Sequence, residues 1–128
     1  MSNTKETHAL HWFEIPVTDM KRASSFYEAV LGEKLRHEMS GGVPNAILPY
    51  EPSAGVGGAL ICDGKRKPSA DGAIVYLPAH GGVEAAAARA AKAGGKVLAT
   101  KIDIGDPGFI ALVVDTEGNQ IGLHAPRG

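Results

Sequence analysis

The sequence has one cysteine, few aromatic residues, almost no net charge and no long apolar run. Cys62 has no second cysteine with which to form a disulfide, and its apolar neighbours indicate a buried small side chain. Thirteen basic residues against fourteen acidic ones give a formal charge of -1, which favours neither nucleic acid nor anionic lipid. The longest apolar run, Phe109 to Val114, is far shorter than the roughly 20 residues of a membrane helix. We therefore expect no nucleic-acid partner and no membrane partner.

The beginning of the chain and its length bear on location and on domain number. The first ten residues, MSNTKETHAL, lack the apolar core of a signal peptide, which predicts a cytoplasmic protein. The 128 residues, of which 44% are hydrophobic, are enough for one domain with a real core and too few for two independent domains. We expect a single domain over residues 1–128.

Two stretches have the periodicity of amphipathic helices. In the first, over about residues 19–31, apolar side chains recur at helical spacing: Ala23, Phe26, Tyr27, Val30 and Leu31. Thr18 or Asp19 can cap this helix, and Gly32 follows where a left-handed residue is usual. The second helix, over about residues 83–94, presents mostly alanine on its apolar face. Such a face must lie close against whatever it covers, most simply a sheet.

Short apolar stretches between glycine- and proline-rich turns predict eight strands. Their predicted bounds are 11–17, 33–38, 45–50, 57–62, 73–79, 96–102, 109–114 and 119–125. The chain thus reads as β-α-β-β-β written twice at an offset of 62 residues, with module one at about 9–62, a linker at 63–72 and module two at about 73–125. The basic run Lys65-Arg66-Lys67 in that linker is typical of a solvated turn. Internal repetition predicts an α+β fold in which paired βαβββ modules pack together.

Two motifs, one near each end of the chain, are specific enough to compare with known families. The first is FEIPVTDM at residues 13–20, followed by Phe26-Tyr27-Glu28 and Leu31-Gly32; the second is DTEGNQIGL at residues 115–123, after Gly108-Phe109-Ile110-Ala111. They resemble the vicinal oxygen chelate superfamily, which includes glyoxalase I, bleomycin-resistance proteins and extradiol dioxygenases. The resemblance covers about residues 9–125. It implies sheets curled into a cup with the helices outside, binding or chemistry inside the cup, and a homodimer.

In metal-using members of that superfamily, four inward-facing strand positions supply the ligands. Carried over by register, the first position is Trp12, and the neighbouring His11 is one residue off, which turns its side chain to the other face of the strand. The last position is Gly122. The final strand of module one has no acid or histidine, and the first strand of module two offers only Ile74 or Val75. We therefore predict no metal and no other cofactor.

Four other residues are candidates for the inner surface of the cup. Strand alternation places Trp12 and Glu14 on the inward face, and Gln120 and His124 with them. We predict that these four residues bind a small-molecule ligand. Glu14 could act as a general base or hydrogen-bond acceptor, and His124 as an acid, base or ligand. Alternatively, Glu14 lies at the solvated rim or pairs with a basic residue, His124 is an exposed near-terminal residue, and Trp12 is core or a dimer contact.

Three classes of function fit these observations. The first is a glyoxalase- or bleomycin-resistance-like protein that binds a small organic molecule without the usual metal. The second is a metal-dependent lyase, isomerase or dioxygenase of the glyoxalase type, and the third is a dimeric interaction module without a pocket. We favour the first, because losing all four ligands removes the donors that hold a divalent cation against its hydration. No catalytic residue is identified, the ligand is not named by the sequence, and whether the chain is an enzyme stays open.

Overall fold

A computed structural model describes residues 8–128 of the chain. Within that range each of two helices is followed by three strands, which confirms the predicted α+β fold of paired βαβββ modules. In chain order the elements are β1 (Phe13–Pro16), α1 (Met20–Leu31), β2 (Arg36–Ser40), β3 (Val43–Ile47), β4 (Gly58–Ile61), β5 (Val75–Pro78), α2 (Val83–Lys92), β6 (Lys96–Asp103), β7 (Phe109–Val114) and β8 (Gln120–Ala125). The signal-peptide prediction concerns residues 1–10, of which residues 1–7 lie outside the described residues. Neither of the described helices is long and apolar enough to cross a bilayer, and the cytoplasmic location stays a prediction.

The two modules build sheets of the same design. The first sheet has the order β1-β4-β3-β2 and the second the order β5-β8-β7-β6. In each sheet the strand before the helix pairs in parallel with the last strand of its module, and the other neighbours are antiparallel. The internal repeat in the sequence is therefore a repeat of topology.

Helix α1 begins and ends where its sequence signals predict. The side chain of Asp19 accepts a hydrogen bond from the backbone N–H of Arg22 at 3.0 Å, which satisfies one of the free donors of the first turn. Gly32 adopts the left-handed conformation with φ 78°, and its N–H donates to the carbonyl of Glu28. The predicted apolar stripe is buried along its whole length.

Helix α2 lies close to its neighbours because the side chains on its inner face are small. Ala86, Ala87 and Ala90 are buried, and the helix packs on its own sheet and on α1. Arg89 links the two helices, since its Nε donates to the carbonyl oxygen of Val30 at 3.1 Å. One apolar core therefore runs through both modules.

The bounds of the second and third strands are shifted by two or three residues from the predicted ones. The sequence predicts strands at 33–38 and 45–50, but β2 and β3 close around the turn Gly41-Gly42, whose φ angles are 59° and 79°. Every residue of β2 is exposed, so this edge strand has no apolar alternation to mark it. The first strand is also shorter than the predicted 11–17. It spans Phe13–Pro16, and Trp12 lies just before it.

The sheets have one face toward the helices and one face away from them, which we call the open face. Ile15, Leu60, Leu77, Ile121 and Leu123 belong to the core that the helices cover. Alternation along the strands therefore places the intervening side chains on the open face. They include Glu14, Ala59, Ile61, Tyr76, Gln120, Gly122 and His124.

In the described part of the core, Ser24 has a buried polar atom without a partner, which gives a test of the packing. Ser24 on α1 is buried, and among the described residues its Oγ has no hydrogen-bond partner. We expect Ser24→Ala to raise the free energy of unfolding by about 1 kcal/mol, because it removes an unsatisfied hydroxyl and improves helix propensity. The neighbouring exposed Ser25 provides the control in urea denaturation, since Ser25→Ala changes helix propensity alone. Equal effects of the two substitutions would contradict this account.

Candidate functional site

A pocket of about 230 Å³ lies where β1, β8 and the linker meet. We call it the polar pocket, since Glu14, Lys67, Ser69 and Gln120 contribute polar side chains to it. Its apolar wall is formed by Ile15, Pro16, Val75 and Ile121. The structure therefore brings two of the predicted site residues, Glu14 and Gln120, together in one pocket.

Glu14 is paired to a residue of the linker. Arg66 Nη2 lies 3.3 Å from Glu14 Oε1 and 3.2 Å from Asp63 Oδ2. Hydrogen bonds from the backbone N–H groups of Lys65 and Arg66 lower the pKa of Asp63 and fix the turn that carries Arg66. Arg66 is thus the basic partner that the alternative interpretation of Glu14 requires, and it neutralises part of the charge at the pocket.

The linker is attached at the start of β8 by two hydrogen bonds of Ser69. The backbone N–H of Ser69 donates to Asn119 Oδ1 at 3.0 Å, and the N–H of Gln120 donates to the carbonyl of Ser69 at 3.3 Å. These bonds hold the linker wall of the polar pocket against its strand wall. Lys67, between Arg66 and Ser69, makes no ion pair with any residue the structure describes.

The turn before β8 joins the two modules through Glu117. Its carboxylate accepts six hydrogen bonds of 2.7–3.0 Å from Thr18, Asp19, Arg22 and Thr116. Desolvation alone would raise its pKa, but the hydrogen bonds from Arg22 and from the backbone of Asp19 and Thr18 outweigh this effect and lower the pKa to about 2. Glu117 therefore stays ionised and fixes module two to the beginning of α1.

Asp115 makes a second link between the modules in the same turn. Its Oδ1 accepts three backbone N–H bonds from residues 117–119, and its Oδ2 accepts the hydroxyl of buried Tyr27 at 2.5 Å. Burial, followed by the charge of Asp115 and this hydrogen bond, raises the pKa of Tyr27 well above its ordinary value. The phenol remains protonated as a donor. Asn119 adds a bond from Nδ2 to the carbonyl of Pro16 at 2.8 Å, so the wall of the polar pocket is fixed to β1.

The other two predicted site residues have different surroundings. The ring of Trp12 meets the ring of Tyr50 edge-on, with centroids 6.1 Å apart. His124 Nε2 lies 2.7 Å from the carbonyl oxygen of Pro107, and because a carbonyl only accepts, Nε2 carries the hydrogen. Neither residue lines the polar pocket, so any ligand there meets Glu14 and Gln120 without them.

The residues on the open face do not fit a divalent cation. The open face carries Gly122 and the phenol of Tyr76 in the second sheet, while the carboxylate of Glu14 is engaged by Arg66. Among residues 8–128 no three His, Cys, Asp or Glu side chains come together in a group that could hold a metal. The donor set therefore supports no step through a metal ion, and the absence of a metal stays a prediction.

Sequence reasoning missed the linker as part of the site. Residues 65–67 are predicted to be a solvated turn, yet Arg66 pairs with Glu14 and Lys67 lines the polar pocket. A signal was present in Asp63, whose spacing to the basic run is that of a carboxylate capping a turn. The direction in which that turn presents its cations depends on tertiary contacts and could not be read from the pattern.

Comparisons with known proteins agree with this architecture. The family model of the Glyoxalase/Bleomycin resistance protein/Dioxygenase superfamily matches residues 9–123. Glyoxalase I from Zea mays is 25% identical with a TM-score of 0.69, over 88% of this chain and 44% of that protein. A glyoxalase/bleomycin resistance protein from Albidiferax ferrireducens T118 is 17% identical with a TM-score of 0.68, over 91% of this chain and 98% of that one. The second likeness shows the fold alone.

The extent of the maize match limits what can be taken from it. This chain spans less than half the length of the maize enzyme and nearly the whole of the bacterial protein. No curated protein matches the chain significantly. Since the family model covers nearly all of the sequence, the chain belongs to the Glyoxalase/Bleomycin resistance protein/Dioxygenase superfamily.

Proposed function

We propose that this protein binds a small organic molecule in the polar pocket without a metal ion. The observation that carries the proposal is the convergence of Glu14, Lys67 and Gln120 on one pocket with an apolar wall. A concave, partly apolar site with a few convergent polar groups is the usual form of a small-molecule site. Membership of the superfamily supports the same conclusion, since binding or chemistry inside the cup is what the family resemblance implies.

Each polar group has a defined capacity. Glu14, paired with Arg66, offers a carboxylate oxygen as acceptor, and Lys67 offers an ammonium donor. Gln120 offers an amide that both donates and accepts. The pocket therefore suits a polar molecule with donors and acceptors on one side and an apolar surface on the other. Acid-base catalysis by Glu14 ranks below simple binding, because its carboxylate is held by Arg66.

A fragment screen by two-dimensional NMR tests this proposal. We expect saturable amide shifts at residues 14, 67 and 120 for polar fragments in the presence of a chelator. Glu14→Gln and Gln120→Ala should each weaken those hits about fivefold or more, the cost of one hydrogen bond to a ligand. Glu38→Gln, which changes an exposed carboxylate on β2 paired to Arg36, is the matched control. Hits that need added nickel or zinc, or that shift other residues only, would contradict the proposal.

The proposal includes a homodimer, as the family resemblance implies. Exposed apolar side chains support it: Met39, Leu98, Ile102 and Ile104 are among the large ones. We expect sedimentation at micromolar concentration to show a species of twice the chain mass. Only a 13.3 kDa species would contradict this part of the proposal.

A further inference from the structure

Four of the seven aromatic residues of the chain gather at one place outside the polar pocket. Phe13, Tyr50 and Tyr76 line a recess of about 130 Å³, and Trp12 contacts Tyr50 beside it. The recess lies between the start of β1 and the end of β5, whereas the polar pocket lies between the end of β1 and the start of β5. We call it the aromatic pocket.

Three glycines make room for the three lining rings. The ring of Tyr50 lies against Gly57, that of Phe13 against Gly58, and that of Tyr76 against Gly122. A methyl group at any of these glycines would overlap the ring. The ring of Phe13 lies on the helix-covered side of its strand and that of Tyr76 on the open face, so the recess reaches both faces where β1 and β5 meet. Because each ring lies against glycine backbone, the aromatic surface is formed in advance of binding.

The size of the aromatic pocket fits a single ring. An apolar protein cavity of about 150 Å³ accepts benzene, and the recess has about 130 Å³. Leu31, Leu48 and Leu77 add aliphatic surface to it. A one-ring ligand can contact these side chains, while a larger polycyclic one exceeds the volume.

The charge at the aromatic pocket favours a cation. Glu33 supplies a carboxylate, and among the described lining residues none is lysine or arginine, which leaves His80 as the lining side chain that can become a cation. Within residues 8–128 Glu33 makes no ion pair, while the nearby Arg89 donates to the carbonyls of Val30 and His80. The pocket also lies at the C-terminal end of α1, where the helix dipole is negative. Aromatic faces attract cations as well.

We propose that the aromatic pocket binds a one-ring organic cation, a protonated arylalkylamine, with its ring among Phe13, Tyr50 and Tyr76 and its ammonium toward Glu33. This site is separate from the polar pocket, and it stands or falls independently of the proposed function.

Trp12 makes the test direct, because it is the only tryptophan in the chain and contacts the ring of Tyr50. The probes are 2-phenylethylammonium, its neutral analogue 2-phenylethanol and the anion phenylacetate. We expect Trp12 emission to change saturably, with the ammonium bound about tenfold more tightly than phenylacetate and the alcohol between them. Glu33→Gln should make the ammonium and the alcohol bind alike. Tyr76→Ala should weaken all three about tenfold, and Glu38→Gln should change nothing.

Three results would overturn the proposal. They are no saturable response to 2-phenylethylammonium, equal affinity for phenylacetate, and Trp12 emission that changes on dilution of the protein alone, which would make this surface a self-association face. Far-UV circular dichroism checks that the variants fold. If Tyr76→Ala does not fold, the order of the three probes' affinities for the unchanged protein and for Glu33→Gln still tests the proposal.

Discussion

Glu117→Gln is expected to lower the free energy of unfolding by about 3 kcal/mol and the Tm by about 10 °C. The substitution preserves shape but removes the charge that accepts six hydrogen bonds, five of them across the modules. Its new NH₂ group would face donors from Arg22 and Thr116, so the loss exceeds that of one hydrogen bond. The control is Glu38→Gln, because the exposed Arg36–Glu38 pair is worth at most about 1 kcal/mol. Equal effects of the two substitutions in chemical denaturation would contradict the role given to Glu117.

The loss of unfolding free energy in Glu117→Gln should depend on pH. The pKa of Glu117 is about 2 in the folded chain, against an ordinary value of 4.5. A lowered folded-state pKa contributes stability that is complete above pH 4.5 and is lost as the pH falls toward 2. The stability difference between the unchanged protein and Glu117→Gln should therefore shrink between pH 4.5 and pH 2. A difference that stays constant over this range would show that the carboxylate charge is not its source.

Tyr27→Phe is expected to cost about 2 kcal/mol of unfolding free energy, the second largest effect. The change removes a buried hydroxyl that donates to the charged Asp115 at 2.5 Å and leaves Oδ2 with one remaining donor, Asn119 Nδ2. Tyr76→Phe is the matched control, since the exposed hydroxyl of Tyr76 makes no hydrogen bond within residues 8–128. We expect the control to change stability by less than about 0.5 kcal/mol. A loss equal to that of the control would contradict the importance of the Tyr27–Asp115 contact.

The fold could be predicted from the sequence because the helix caps, turns and apolar patterns agree with the packing of the folded chain. The stripe on α1, the cap at Asp19 and the left-handed Gly32 fix the first helix to within one residue. Strands β6 to β8 also lie within about one residue of their predicted bounds, because their apolar runs end at clear turns. The predicted bounds of β2 were wrong because an exposed edge strand has no buried face whose apolar pattern would mark its position in the sequence.

The site could be predicted only in part. Strand parity predicted that Glu14 and Gln120 lie on the open face, because both are on strands whose other face is core. The contribution of Lys67 depends on how the linker attaches to β8, through bonds between residues 50 positions apart. The role of Glu117 depends on contacts across 95 or more positions. Such contacts are set by the packing of the modules, and no local pattern encodes them.

The central claim, ligand binding without a metal, is tested most directly by thermal unfolding of chelator-treated protein with micromolar nickel or zinc. A ligand that binds only the folded state must raise the Tm by mass action. Because the open face lacks a fitting donor set, we predict no change in Tm with either metal. A rise of several degrees that is abolished by Glu14→Ala or His124→Ala would contradict the account and show a metal site at the open face.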